Sequence, residues 1–576
     1  MTSTRRDLIK FGGGAAVGAL LTPAPWRLVT DTALWSETWP GVPRVARGEI
    51  RARYTNCSLC PAGCPVRARC LGDQPVALFG VADHPFSHGT LCPFGLAGHH
   101  LPYHPQRLKQ GPVEQAKAAV AEAIARCGAE ERIAILDLRP GRTASWTYRR
   151  AAKQWKSGTY LAPHRILGGD AAVNLAAAKN VISVGAPLFD GWGTPGNVIA
   201  ARDKFRLIQI EATESRTASL ADTWVPVQPG DELQTARKFA QELAAQGPTL
   251  VLDAGERSEI LALNQTTGAL GTAIVSRREA PVPDSWNQAA PESQLDALPD
   301  RSIRVLLIDE SAAGSYIPWS RIEKKLVADN PVVVVFGSSA DGYGRHAGFV
   351  LPTAVYPEAV DDIPPAVDSP VAMFRLSTSL VAAPAGLVNP AQFIAGFAGI
   401  DAANSLRERA DAIHKAGRGN LFTYADAKST PLKDVKADDF WKALNDGASW
   451  ADEAPVRPAA PILALVASTA NATEDDLPLA VLMAEAQPTP GSPILTKLYQ
   501  ESNLRLAANR IALHPSAAKS CGIADGGRAM LQTRCGKLEV QVTLDEGLPP
   551  GVVRVPAVPC TLDLCGTSPR AKVVRI

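Results

Sequence analysis

No apolar stretch of this 576-residue chain approaches the roughly 20 residues that a bilayer-spanning helix needs, so any membrane attachment falls to the N-terminus or to partner subunits. Neither charge dominates: 59 Lys and Arg face 57 Asp and Glu, which leaves no basic field to draw nucleic acid and no acidic tail. A phosphate loop of G-x4-G-K-[ST] form is missing, as is any Ser-His-Asp arrangement, and triphosphatase or hydrolase activity has nothing to rest on. There is no internal repeat and no low-complexity tract. What remains is an ordinary globular composition with length for roughly three or four domains.

Against that background the cysteines stand out. Cys57, Cys60 and Cys64 form C-x2-C-x3-C, and Cys92 follows after 27 residues. Thiolate is the soft ligand of iron–sulfur clusters; two short gaps place three sulfurs round one corner of a cube, and a long loop returns the fourth. A zinc site usually pairs two short C-x2-C units, and Cys92 has no near partner on its C-terminal side. Disulfides are the other alternative, but cysteines three and four apart are awkward to bridge, and Pro61, Gly63, Pro65 and Pro93 suit a loop wrapped round a cofactor. The expected ligands of one 4Fe-4S cluster are therefore Cys57, Cys60, Cys64 and Cys92. Arg67, Arg69 and His88 would raise its potential if they lie close, and are solvated surface otherwise. Cys70, Cys521 and Cys535 read as core, Cys560 and Cys565 as unpaired thiols rather than a disulfide, and His99, His100 and His104 as surface histidines.

The N-terminus carries Thr4-Arg5-Arg6-Asp7-Leu8-Ile9-Lys10 followed by a glycine- and alanine-rich run from Phe11 to Leu21, the pattern of a twin-arginine export signal. Such substrates cross the membrane folded, which suits a cofactor inserted beforehand. No clean A-x-A site follows Leu21, so cleavage and retention both stay open.

The expected organisation is a signal over 1–26, an extended Trp- and Pro-containing arm over 27–48, a cluster domain over 49–110, α/β domains over 111–455 and an all-β barrel over 456–576. Apolar runs predict strands at 132–138, 181–184, 207–210, 249–252, 305–308 and 332–336, alternating with helices at 116–127, 234–246 and 321–328. Alternation of this kind implies parallel sheets covered on both faces. The segment 402–460, charged and alanine-rich, reads as helices or a linker, and Asp361-Asp362 as a loop. Glycine turns at 526–527, 536 and 551 separate strands at 528–533, 537–544 and 552–555.

These residues resemble the molybdopterin oxidoreductase family. The cysteine spacing, Gly89-Thr90-Leu91-Cys92-Pro93-Phe94-Gly95 and Tyr103-His104-Pro105-Gln106-Arg107-Leu108 are similar to its N-terminal iron–sulfur domain. Residues 221–231 (ADTWVPVQPGD) and 349–358 (FVLPTAVYPE) resemble two further family segments, and 511–555 its dinucleotide-binding double-psi barrel. The resemblance implies an α/β fold with an N-terminal iron–sulfur domain and a C-terminal all-β barrel. Three departures bear on function. Catalytic members place a lysine two residues after the fourth cysteine, where this chain has Phe94. The loop that supplies the molybdenum ligand corresponds to 160–172, in which Asp170 is the conventional candidate. Catalytic members are also considerably longer. Metal-free members serve in quinone-linked respiratory complexes of the alternative complex III and quinone reductase types, and the 27–48 arm and the 492–502 segment look similar to such subunits. That resemblance implies partners comprising a polytopic quinone-binding membrane subunit, a multi-cluster iron–sulfur subunit and a multihaem cytochrome c. The reading is an exported, membrane-associated electron-relay subunit without molybdenum, on the periplasmic face. A catalytic molybdenum or tungsten bis-pterin oxidoreductase and a purely structural scaffold are the alternatives.

Overall fold

The computed structural model describes residues 5–21, 48–104, 106–163, 171–253, 258–311, 315–453, 477–483, 510–565 and 570–576. Most of the 27–48 arm, Asp170 and the 492–502 segment lie outside them. Residues Arg5–Leu21 form a helix on which Ile9 and Phe11 are exposed. Among the described residues no helix is long and apolar enough to cross a membrane.

The cluster domain opens with an antiparallel meander, β1 (Ile50–Asn56), β2 (Pro65–Leu71) and β3 (Gln74–Gly80). Side chains of a strand alternate between faces, so Val66, Ala68 and Cys70 of β2 point inward while Arg67 and Arg69 face solvent. The inward face packs with Cys57, Leu101, Tyr356 and Leu380, joining this sheet to the body of the molecule.

A six-stranded parallel sheet forms the centre, in the order Glu292–Ser293, Gly158–Leu161, Arg132–Asp137 (β4), Ile303–Asp309, Val332–Gly337 and Phe349–Pro352. Alternate residues of β4 fill two cores: Ile133 and Ile135 meet the helices Val113–Ala125 and Thr143–Gln154, while Ala134 and Leu136 meet Trp319 and Ile322. A second parallel sheet comprises Thr249–Asp253, Asn180–Val184, Arg206–Glu211 and Thr223–Pro226, with the helix Glu232–Leu243 packed on one face. Each strand expected from a buried run is present. The expected 321–328 helix is shorter, Trp319–Glu323, because the chain then returns to the sheet, where Val327 N–H donates to Ile303 O at 3.0 Å.

Residues 402–453 correct the expectation of helices or a linker. Two helices are there, Ser405–Ala416 and Ala437–Gly447, but so are strands Asn420–Thr423, Lys428–Pro431 and Ala448–Asp452, which join Ala372–Ser377 in an antiparallel sheet. The Lys428–Pro431 edge is polar and largely exposed, so no apolar alternation marks it. Asp361-Asp362 is also strand, paired with Leu376 and Ser377. Among the described residues the C-terminal region closes as a six-stranded barrel that includes Arg528–Thr533, Gly536–Leu544 and Val552–Val555, the strands expected between the glycine turns.

Candidate iron–sulfur centre

The loop between β1 and β2 carries three of the four cysteines. Cys57 N–H donates to Cys64 O at 2.9 Å across its neck, and Gly63 N–H to Cys60 O at 3.2 Å folds its tip. Gly63 adopts φ +53°, a left-handed conformation that glycine reaches without a β-carbon penalty. Cys92 arrives from the far side as the residue preceding a short helix, Pro93–Ala97, whose Gly95 and Phe94 amides favour its thiolate. A β-carbon at Gly95 would run into the Leu91 side chain, and Cys57 Sγ lies 3.6 Å from the same point, so the two segments approach closely here.

Cys57, Cys60 and Cys64 are buried and Cys92 is partly so. Burial, and then the proximity of Cys60, Cys92 and Cys64, pushes the Cys57 thiol well above its ordinary range. Cys64 moves the same way, by burial and then by Cys60 and Cys92, and Cys92 is pushed up to about 11 by burial and Cys60, against its helix amides. Thiols that repel one another as anions become thiolates together only when a cation binds, so iron uptake and deprotonation are coupled here. Among the described residues no three His, Cys, Asp or Glu side chains converge as one mononuclear ion requires, whereas a cubane spreads its cysteines over four irons.

Two arginines that sequence reasoning missed hold this loop. Arg139, just beyond β4, donates through Nη1 to Ser58 O and through Nη2 to Leu59 O, the latter at 2.8 Å. Arg375, on the strand Ala372–Ser377, donates to Pro61 O at 3.1 Å. Both are buried, and burial lowers both, Arg139 to about 10. Cys57 and Cys60 act electrostatically on Arg139, and Cys60 and Cys64 on Arg375. Buried guanidinium needs anionic compensation, and four thiolates supply it, so the residues present fit an iron–sulfur cluster. Arg67 and Arg69, by contrast, are exposed on the outer face of β2, Arg67 lying over Phe79, and His88 is exposed too. None of these three lines the cysteine pocket. A two-residue period through β2 would have placed both arginines outward; Arg139 and Arg375 are distant in sequence and carry no local signal.

A groove of about 460 Å³ adjoins the loop, lined by Pro61 and Ala62 and by Arg139, Arg149, Arg277 and Trp146 among others. Phe94 is buried and does not line it. Arg139 both touches the cysteine loop and lines the groove, so the cation between the two comes from β4's end rather than from position 94.

The ends of the central strands are fixed by an ion network. Arg142 is enclosed by Asp309 at 2.5 Å, Asp361 at 2.6 Å and Asp137 at 3.3 Å, and Tyr148 donates to Asp309 while Tyr160 donates to Asp137. Arg409 pairs with Asp362 at 2.9 Å. The Asp361-Asp362 pair is thus part of this framework, and the loop reading missed it because both partners lie far off in sequence. Burial, with Asp362 beside it, pushes Asp361 up to about 6 despite Arg142. Of the other cysteines, Cys70 is buried and Cys521 half-buried against the barrel core, whereas Cys535 is exposed at a hairpin turn, contrary to its core reading. Cys560 and Cys565 occupy one short helix.

A buried loop carrying Cys57, Cys60 and Cys64 with Cys92 opposite it, two parallel α/β sheets and a closed barrel make up an architecture whose cysteine site suits one iron–sulfur cluster. Residues 50–104 match the family described as "Molybdopterin oxidoreductase Fe4S4 domain" and residues 495–561 the one described as "Molydopterin dinucleotide binding domain", and the chain carries both domains. It is similar to the menaquinone reductase molybdopterin-binding-like subunit of Nitratidesulfovibrio vulgaris, 26% identical over 280 residues, which is 43% of this chain and 40% of that one. It is also similar to the thiosulfate reductase molybdopterin-containing subunit of Salmonella typhimurium, 23% identical over 209 residues, 31% of this chain and 27% of that one. The matched region spans less than half the length of these curated relatives. In fold the chain resembles acetylene hydratase from Pelobacter acetylenicus, with a TM-score of 0.63, 14% identity, and coverage of 88% of this chain and 92% of that one.

Proposed function

We propose that this chain is the exported iron–sulfur subunit of a membrane-associated, quinone-linked respiratory complex, relaying electrons through one 4Fe-4S cluster and working without molybdenum. The carrying observation is the pocket itself: Cys57, Cys60, Cys64 and Cys92 gathered under burial with Arg139 and Arg375 as counter-charge. When bound, the cluster supplies one-electron exchange. The two guanidiniums favour its more negative, reduced state and raise its potential. Ala62 and Leu91 pack with Cys60 and Cys64 and keep water from their sulfurs. The likeness to a menaquinone reductase subunit supports the quinone link. The Arg5-Arg6 signature supports export by the twin-arginine route to the periplasmic face. A single cluster needs a neighbour within tunnelling reach, so the proposed partners are a multi-cluster iron–sulfur subunit, a multihaem cytochrome c and a polytopic quinone-binding membrane subunit.

One observation favours a second reading, a catalytic bis-pterin oxidoreductase. The groove beside the cluster is lined by arginines and tryptophans, including Arg139, Arg149, Arg277, Trp146 and Trp192, which is suitable chemistry for a planar anion such as a pterin. Its conventional metal-ligand candidate, Asp170, lies outside the described residues. Cofactor-stoichiometry measurement on the purified complex separates the two: iron without molybdenum is expected, and molybdenum at one atom per chain overturns the proposal. A cluster that resists reduction in the intact complex would instead leave the chain as a scaffold.

A further inference from the structure

Tyr356 follows the last strand of the central sheet and reaches back to the cluster domain. Its ring lies against Gly98, where a β-carbon would come within 2.5 Å of two ring carbons, so glycine is what lets the ring approach. The same ring belongs to the apolar cluster that contains Cys57, Val66 and Leu101. Its turn is clamped: Glu358 N–H donates to Val355 O at 2.8 Å, Val355 N–H donates to Glu358 Oε2 at 3.3 Å, and Glu358 is ion-paired with buried Arg107 from the end of the cluster domain. Tyrosine presents an apolar body and one polar tip, and a buried hydroxyl ordinarily finds a partner. The Tyr356 hydroxyl is sealed from solvent and has no hydrogen-bond partner among the described residues. The charged groups that act on it, after burial, are Cys57, Cys64 and Cys92 in that order.

We infer that Tyr356 is a positioning residue of the cluster, donating its hydroxyl hydrogen to a cluster sulfur beside Cys57 and thereby raising the reduction potential. The inference rests on the reading of the four cysteines as cluster ligands. A donated hydrogen bond draws electron density from sulfur and stabilises the added electron, which is how protein groups tune such centres. No covalent step is involved; the proton stays on oxygen throughout.

The test uses the full complex carrying Tyr356→Phe, a change that keeps the ring and removes only the donor. Iron is counted first, and the midpoint potential is then read by redox titration monitored by electron paramagnetic resonance. The expected variant keeps four irons per chain, titrates at a more negative potential, and loses one exchangeable-proton coupling that nuclear double resonance detects in the wild-type reduced cluster when water is replaced by deuterium oxide. Four irons with an unchanged potential and unchanged coupling overturn the inference while leaving the cluster intact. If Tyr356→Phe sheds iron, the wild type decides alone: absence of an exchangeable coupling overturns the assignment, and its presence with tyrosine-specific isotope sensitivity supports it. An iron count of the complex that does not fall by four in Cys60→Ala would sink the cluster reading itself, a separate result.

Discussion

Gly63→Ala should open the cysteine loop, and the cost can be built from two contributions. The residue sits at φ +53°, and an L-residue forced into the left-handed region costs roughly 1–2 kcal/mol. Its new methyl would lie 2.5 Å from Arg375 Cζ and Nη2, and Arg375, 2% exposed, has no open solvent into which to swing. Displacing that guanidinium breaks its 3.1 Å bond to Pro61 O. A hydrogen bond from a charged donor is worth about 1.5–3 kcal/mol, so the loop loses roughly 2.5–5 kcal/mol in all. If loop opening limits cluster release, iron should leave on the order of a hundredfold faster or more, at about 1.4 kcal/mol per tenfold. The assay is the decay of cluster absorbance under anoxic conditions with an excess of iron chelator. Gly551→Ala is the control, since its φ is +89° but nothing lies within 4 Å of the added carbon; it should weaken the barrel without hastening iron loss. Wild-type release kinetics in Gly63→Ala would refute the claim that Arg375 and the loop tip brace each other.

Two further outcomes follow from buried groups of the cluster domain. His84 accepts N–H bonds from Phe86 and Ser87 at Nδ1 and lies 3.2 Å from Ser449 Oγ through Nε2, and burial followed by Arg375 lowers it to about 3. A folded value below the unfolded one near 6.5 means that the neutral ring's stabilisation is complete above about pH 6.5 and is lost as pH falls towards 3, by up to about 1.4 kcal/mol per unit. Denaturant unfolding between pH 7.5 and 5 should therefore show a shallower acid slope in His84→Asn than in the wild type; equal slopes would argue against it. Arg107→Met strands Glu358 without its cation and should cost about 3–5 kcal/mol, with Arg107→Met/Glu358→Met recovering much of the loss. Thermal melts of the two variants check this, and a double variant no better than the single one counts against it.

The legible and illegible parts of the molecule divide along a physical line. The loop that gathers Cys57, Cys60 and Cys64 was legible because their spacing is local, and the central strands because burial on both faces forces continuous apolar runs such as Ile133–Leu136. The barrel was readable from its glycine turns. Hidden from that reading were contacts whose partners are remote in sequence: Arg139 and Arg375 on the cysteine loop, and Asp361 and Asp362 in the ion network. Strand Lys428–Pro431 was hidden for a different reason, since a polar edge strand has little apolar side to declare itself. Arg67 and Arg69 are exposed, as the solvated-surface alternative had it, and the two-residue period of β2 points both outward. Phe94 was weighed for the lysine charge it lacks, and the buried cation that touches the cysteine loop and lines the groove is Arg139, remote in sequence.

The most direct measurement is metal content by mass spectrometry on the purified complex, with iron and molybdenum counted together in wild type and Cys60→Ala. The account predicts four irons attributable to this chain, no molybdenum, and loss of those irons in the variant. One molybdenum per chain, or four irons surviving without Cys60, would contradict it.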